Sequence, residues 1–116
     1  EHSVIKTLAL ITESDQPLIA LMHGDKEVSL KDLARFMGVK KVQPCNQKEA
    51  QKYTGYKFGG TSPFGTTYPL PVYVESTIFD LDKIYINGGK QGLILGLSPS
   101  ALKKVLEVIE VNVAIG

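Results

Sequence analysis

The run VIKTLALI, from Val4 to Ile11, would place apolar side chains on both faces of any strand that it forms. A continuous apolar run of this length, rich in β-branched residues, is typical of a buried strand. The turn sequence ESDQP and a second apolar run, LIALMHG, follow directly. The two runs therefore predict a β-hairpin at the start of the fold.

Three segments carry the start and stop signals of short helices: SLKDLARFMG, NQKEAQKYTG and SPSALKKVLEVI. The first two have a polar cap, an acid three residues later and a glycine at the end. The third has a proline at its first helical position, which suits a helix start. The caps are Ser29, Asn46 and Ser98, the acids are Asp32 and Glu49, and the glycines are Gly38 and Gly55.

Short strand-like runs fill the remaining chain: KKVQP, PVYVES, KIYING, GLILGL and the tail EVNVAIG. The glycine-rich turn NGGKQ between KIYING and GLILGL predicts a second hairpin. Helices that interleave with hairpins indicate an α+β fold with a mixed, largely antiparallel curved sheet and flanking helices. At 116 residues, the chain is expected to form a single domain over residues 1–116.

The charge of the chain is nearly balanced, with 13 basic and 12 acidic residues. Residues 40–57 depart from this balance, because they hold five lysines and a single acid, Glu49. A solvated surface and a phosphate-binding patch both fit such a run. The lysines are Lys40, Lys41, Lys48, Lys52 and Lys57.

The single cysteine, Cys45, rules out an intramolecular disulfide and is typical of a reducing compartment, so we expect the cytoplasm. No apolar run approaches the roughly 20 residues of a membrane span, so no membrane partner is expected.

Lys6 is the one charged residue between His2 and Ile11. A lysine in a buried strand either extends its ammonium out of the sheet or faces a polar cavity. In a cavity, the rigid strand would fix one positive charge for a phosphate or a developing anion.

The stretch KYTGYKFGGTSPFG, residues 52–65, crowds four glycines and a proline into fourteen residues. Gly59 and Gly60 can expose consecutive backbone amides to an anion or oxyanion, and Pro63 would stiffen the loop. A tight turn without a ligand is the other interpretation.

Other catalytic chemistry finds little support in the sequence. Ser62 lies in GTSPF, which lacks the second glycine of a hydrolase elbow. His2 and His23 show no metal-ligand spacing, and no nucleotide-binding glycine pattern is present. Cys45 precedes a helix cap but lacks a neighbouring histidine. We therefore expect no metal and no cofactor.

Taken together, four segments resemble the YbaK family of aminoacyl-tRNA deacylases, which are related to the editing insertion of bacterial prolyl-tRNA synthetases. VIKTL resembles the strand with the family's essential lysine, which falls on Lys6. LARFMGVKKV is similar to a family helix and the segment after it. TGYKFGGTSPFG resembles the family's glycine–proline loop, and IYINGGKQGLILGLSPSAL its closing hairpin and last helix. The matching loop and hairpin residues are Gly59, Gly60, Thr61, Ser62, Pro63, Gly88, Gly89, Lys90 and Gly92.

The resemblance implies a reaction, which is hydrolysis of the ester between a wrongly attached amino acid and the terminal adenosine of tRNA. It implies catalytic roles for Lys6, Gly59 and Gly60. Substrate contacts would come from Thr61, Ser62, Pro63, Gly88, Gly89 and Lys90. The implied partners are mischarged tRNA, in particular tRNA for proline, and prolyl-tRNA synthetase.

Two features depart from the family pattern. The family's N-terminal helical segment does not precede the lysine strand, and GTTYPLPVYV replaces the basic stretch of the cysteine-editing branch. The identity of the removed amino acid therefore stays open. A non-catalytic module that binds aminoacyl-tRNA or a nucleotide in the same cleft is the alternative function.

Overall fold

The computed structural model describes residues 2–57 and 59–116, which form one main sheet, a small second sheet and three short α-helices. Within these residues, every helix is too short or too polar to cross a bilayer. In chain order the elements are β1 (Val4–Thr12), β2 (Pro17–His23), β3 (Glu27–Val28), α1 (Leu30–Met37), β4 (Val42–Pro44), α2 (Gln47–Thr54), β5 (Val72–Glu75), a 3-10 helix (Ser76–Asp80), β6 (Ile84–Asn87), β7 (Ile94–Leu97), α3 (Pro99–Val105), β8 (Val108–Val111) and β9 (Ala114–Ile115).

The main sheet has the strand order β7-β6-β1-β2-β5-β8, and β4 pairs with β1 beside this path. The predicted hairpins β1–β2 and β6–β7 are antiparallel, as is β1–β4. The pairs β1–β6, β2–β5 and β5–β8 are parallel. The α+β class with a mixed sheet is therefore confirmed. The second sheet consists of the antiparallel pair β3–β9.

One edge of β1 is shared by two strands that do not meet. β6 pairs with Val4 and Ile5, whereas β4 pairs with residues 10–12. The β1 segment between them, residues 6–9, has no strand on this edge within the described chain, although Cys45 N donates to the Ala9 carbonyl at 3.0 Å. The main sheet therefore contains a gap beside Lys6.

Two apolar clusters cover the two faces of the sheet, and alternate residues of β2 belong to each. Ile19 and Leu21 lie in one cluster, while Leu18 and Met22 lie in the other. Because side chains alternate along a strand, this division explains why the sequence of β2 is continuously apolar.

The capping signals predicted for α1 and α2 are present. The Ser29 side chain accepts from Asp32 N at 3.2 Å, and Gly38 ends α1 with a φ of 74°. Asn46 and Glu49 form a complete capping box at the start of α2. A left-handed glycine, Gly55, ends α2.

The prediction of a third helix through Ile109 is wrong at its C-terminal end. α3 stops at Val105, and Val108 and Ile109 belong to β8, where they pair with Val72 and Tyr73 of β5. β-branched side chains pack well on a sheet, and the open edge of β5 outweighs the local helix signal. Ser98 makes no side-chain cap either.

Candidate active site

A cleft of about 630 Å³ lies at the gap in the main sheet. Residues of β1, β3 and the β4–α2 junction line it together with the loop that follows α2 and the strands β6 and β7. Of the residues predicted for the site, it brings together Lys6, Gly59 and Thr61. Lys6 and Gly59 are catalytic in the prediction and Thr61 contacts the substrate, so a cavity shared by Lys6 and the glycine loop is the arrangement that the prediction requires.

Lys6 faces the cleft, and its side chain is 27% exposed. Its Nζ lies 3.4 Å from Oε1 of Glu27, whose side chain is 76% exposed. Glu27 belongs to β3, which pairs with β9 near the end of the chain. An ion pair with so exposed an acid is weak, so the ammonium remains available to an anion that enters the cleft.

The glycine loop presents fewer amides than the sequence suggested. Gly59 and Thr61 line the cleft, and Gly59 has a φ of +84°. The amide of Gly60, however, donates to the Lys57 carbonyl at 3.0 Å, and Gly60 is buried. Within the described part of the chain, the amides of Gly59 and Thr61 have no acceptor. Two separated donors therefore replace the predicted consecutive ones.

Gly60 serves instead as a close-packing point between the loop and the β6–β7 turn. A Cβ at this position would lie 2.9 Å from Cα of Lys90 and 3.2 Å from the amide nitrogen of Gln91. Both neighbours are backbone atoms that cannot turn away. Only glycine therefore lets the loop approach the turn this closely.

Gly88, Gly89 and Lys90 form that turn and are not among the described residues that line the cleft. The amide of Gly88 donates to the Leu93 carbonyl at 2.8 Å, and Gly89 has a φ of +123°. The turn therefore packs against the glycine loop at Gly60 and does not line the cleft.

Asn87, which the sequence analysis did not single out, joins the loop to the turn. Its Nδ2 donates to the Gly59 carbonyl at 3.1 Å, and its Oδ1 accepts from the Gly89 amide at 2.7 Å. Asn87 also lines the cleft. An asparagine immediately before two glycines is a turn signal, but the sequence does not show that it holds a second loop.

Ser62 and Pro63 are buried within the loop. The Oγ of Ser62 accepts from the Phe64 amide at 3.2 Å, and the Tyr56 hydroxyl donates to the Phe64 carbonyl. Ser62 has no exposed surface, so its hydroxyl shapes the loop and is unsuited to nucleophilic attack.

Thr7 is a second cleft residue that the sequence analysis missed. Its hydroxyl is buried and has no hydrogen-bond partner within the described chain. Gly24 N donates to the Val4 carbonyl. Because alternate residues of a strand hydrogen-bond to the same neighbour, the backbone groups of the even-numbered residues of β1 point toward β2. Those of Thr7 therefore face the gap. Buried polar groups are usually paired, so an unpaired one beside a cleft is a candidate for contact with a ligand.

Cys45 also lines the cleft. Burial raises the pKa of its thiol to about 11, and the carboxylate of Glu49 acts in the same direction. The thiol is therefore protonated at neutral pH, which agrees with a passive role and outweighs any effect of the adjacent helix start.

The two histidines are far apart in sequence, yet their rings stack with centroids 3.7 Å apart. The register of the β1–β2 hairpin, in which Ile5 pairs with His23, brings His2 to it, and Asp25 lies beside His2. Both ring nitrogens of His23 are already hydrogen-bonded, to the His2 carbonyl and to Thr77. Among the described residues, this cluster therefore offers a metal only His2 and Asp25 unless a hydrogen bond of His23 is broken.

Comparisons with known proteins agree with the fold and with the family resemblance of the sequence. A profile described as the aminoacyl-tRNA editing domain matches residues 1–105. A protein of Enterococcus faecalis, provisionally named Cys-tRNA(Pro)/Cys-tRNA(Cys) deacylase EbsC, is 33% identical over 99 residues, which make up 85% of this chain and 60% of that protein. A proline–tRNA ligase of Streptococcus equi subsp. equi is 28% identical over 101 residues, or 86% of this chain and 16% of the ligase.

A crystal structure of a protein provisionally described as a trans-editing enzyme for prolyl tRNA synthetase has a TM-score of 0.91. The match covers 99% of this chain and 72% of that one at 21% identity, so it establishes the fold alone. The chain spans less than two thirds of the length of the two sequence relatives described above. Because the profile covers almost the whole chain, the chain belongs to the aminoacyl-tRNA editing domain family.

Proposed function

We propose that the chain removes a wrongly attached small amino acid from tRNA in trans, by hydrolysis of the ester at the terminal adenosine. The observation that carries this proposal is the shared cleft, because Lys6, Gly59 and Thr61 all line one cavity. A charged tRNA end offers matching groups, which are a phosphate, ribose hydroxyls and an ester carbonyl.

In this proposal Lys6 holds the terminal phosphate or the ribose, while the amides of Gly59 and Thr61 donate hydrogen bonds to the developing oxyanion. Preorganised donors of this kind act on charge that appears only in the transition state, and one of them contributes about 10²–10³ in rate. Asn87 positions the loop, because it binds the Gly59 carbonyl.

The nucleophile in this proposal comes from outside the protein. Ser62 is buried and Cys45 is protonated, so neither suits attack on an ester. A water molecule oriented by the ribose hydroxyl attacks the carbonyl carbon, and the ester C–O bond breaks. The ribose oxygen takes up a proton, which leaves free amino acid and uncharged tRNA. With cysteine as the attached residue, the substrate's own thiol can attack the carbonyl instead, which breaks the ester C–O bond, returns a proton to the ribose oxygen and releases a cyclic thiolactone that water then opens to cysteine.

We further propose that the substrates are Cys-tRNA(Pro) or Ala-tRNA(Pro). A relative is provisionally named a Cys-tRNA(Pro)/Cys-tRNA(Cys) deacylase, and another is a proline–tRNA ligase, which makes prolyl-tRNA synthetase a plausible associate. Charging of tRNA takes place in the cytoplasm, where we place the reaction.

A panel of charged tRNAs tests the function. We expect release of amino acid from Cys-tRNA(Pro) or Ala-tRNA(Pro), and no release from correctly charged Pro-tRNA(Pro), because an editing site must spare the correct product. The measurement is the loss of labelled amino acid from each tRNA against time. Retention of labelled tRNA without release would favour the non-catalytic binding module and contradict the proposal.

Thr7 offers a second test, because its unpaired hydroxyl has opposite consequences for stability and activity. Thr7→Val preserves the shape of the side chain and removes the hydroxyl. We expect unchanged or slightly higher stability, since a buried unsatisfied hydroxyl costs about 1–3 kcal/mol. We also expect kcat/KM to fall about fivefold, the equivalent of one hydrogen bond of roughly 1 kcal/mol to the substrate.

Thermal unfolding and deacylation kinetics measure the two effects in the Thr7→Val variant. Lower stability with unchanged kcat/KM would mean that the hydroxyl is paired inside the protein, and it would remove Thr7 from the substrate site.

A further inference from the structure

A second groove, of about 770 Å³, lies beside the cleft on the surface of α2. We call it the α2 groove. Three of its five lining residues are lysines, the other two are glutamines, and none is an acid. The lining residues are Gln47, Lys48, Gln51, Lys52 and Lys57.

The α2 groove adjoins the cleft at one residue. Gln47 lines both cavities, and it is the first residue of α2, directly after the cleft residues Cys45 and Asn46. A chain that leaves the cleft past Gln47 therefore enters the groove next to Lys48.

The lysines of the α2 groove lack acidic partners within the described chain. The salt bridges of Lys6, Arg35 and Lys103 lie elsewhere. The neighbouring acid Glu49 is engaged by its own helix, because its Oε1 accepts from the Asn46 amide at 3.0 Å. Within the described chain, no carboxylate therefore forms an ion pair with these lysines.

The structure divides the lysine run of residues 40–57 into two groups. Lys40 and Lys41 precede β4, where the Glu13 carboxylate accepts from the Lys41 amide at 3.1 Å. They belong to a different groove beside α1. The α2 group is therefore the one that adjoins the cleft at the start of α2, through Gln47.

The spacing of these lysines suits a repeating anion. Lys48 and Lys52 are four residues apart on α2, so they lie on one face with Cβ atoms about 5–6 Å apart. Lys57 adds a third ammonium from the loop that leads to Gly59. The Nζ of Lys52 also lies 5.3 Å from the centre of the Tyr53 ring.

We propose that the α2 groove binds the sugar–phosphate backbone of the single-stranded nucleotides that precede the terminal adenosine of tRNA. This assignment rests on the proposed function, which places that adenosine in the cleft. Lysine contacts of this kind supply affinity without base specificity and make binding sensitive to salt.

A matched pair of charge reversals tests the groove. Lys52 and Lys104 are both exposed lysines in the last turn of a helix, but Lys104 lies on α3, and neither cavity includes it. Lys52→Glu and Lys104→Glu therefore change net charge and helix-end electrostatics alike. Lys48→Glu provides a second groove variant.

The first measurement is binding of an uncharged CCA trinucleotide by the wild-type chain and by each variant, across a range of salt. We expect about tenfold weaker binding for Lys52→Glu and Lys48→Glu. The slope of log affinity against log salt should fall by about 0.7 for each lost phosphate contact. Lys104→Glu should match the wild type within about twofold.

The second measurement compares kcat/KM on aminoacyl-adenosine with kcat/KM on the same amino acid attached to the trinucleotide. The groove variants should lose activity on the trinucleotide and retain it on the adenosine ester. Equal losses in Lys52→Glu and Lys104→Glu would overturn the proposal. So would a loss seen only with full-length tRNA, which would assign the lysines to the duplex stem.

The binding measurement separates this proposal from the proposed function. If the wild-type chain binds the trinucleotide through Lys48 and Lys52 yet releases no amino acid from any charged tRNA, the groove stands and the hydrolytic function fails.

Discussion

Replacement of Lys6 by alanine is expected to reduce deacylation by about 10²–10³-fold or more, because Lys6 is the only lysine or arginine among the described residues that line the cleft, and in the proposed function it binds the substrate. The fold should tolerate the change. The ion pair of Lys6 with Glu27 joins a partly exposed lysine to an exposed acid, and such pairs contribute at most about 1 kcal/mol. Single-turnover release of labelled amino acid measures the rate, and thermal unfolding measures the stability.

Two controls separate the charge of Lys6 from its packing. Lys6→Met keeps an unbranched apolar side chain without the ammonium, so it should be as inactive as Lys6→Ala. Glu27→Ala removes the partner but keeps the ammonium, so it should retain activity. Near-normal turnover by Lys6→Met would show that the ammonium takes no part in catalysis.

Replacement of Gly59 by alanine is expected to slow deacylation by about 10²-fold, the effect of one lost oxyanion donor. Gly59 adopts a φ of +84°, a conformation in which an L-residue costs roughly 1–2 kcal/mol. Relief of this strain would rotate the amide of Gly59 and the carbonyl that Asn87 binds. The measurement is the single-turnover rate at saturating enzyme, which reports on chemistry after the substrate has bound.

Gly92 provides a control with the same backbone strain. Its φ is also +84°, it lies in the β6–β7 turn, and an added Cβ would meet no atom within 4 Å. Gly92→Ala should lose about as much stability as Gly59→Ala and keep its deacylation rate. Similar rates for the two variants would remove the Gly59 amide from the mechanism and leave the loop with a structural role.

The elements of the fold followed from local sequence signals. The apolar runs of β1 and β2 correctly predicted a buried hairpin, and the capping residues Ser29 and Asn46 correctly predicted two helix starts. The helix predicted through Ile109 ended early because Val108 pairs with β5, a distant strand that no local pattern reveals.

The candidate site was predicted in part. Lys6 and Gly59 stood out because a lone charge in an apolar run and paired glycines before a proline are unusual. Asn87 and Thr7 did not stand out. The importance of Asn87 depends on the loop that it meets, and that of Thr7 depends on the absence of a neighbouring strand.

The sequence by itself determined the class of fold, the positions of most elements and three of the residues that line the cleft, Lys6, Gly59 and Thr61. Only the tertiary structure decided which polar groups stay free. The amide of Gly60 donates to the Lys57 carbonyl, and the backbone of Thr7 faces a gap between β4 and β6. The lysines of the α2 groove lie in a different groove from the lysines near Glu13. The physical reason is that local residue preferences set helices, caps and turns. A hydrogen-bond or charge partner, in contrast, is set by whichever distant segment packs alongside.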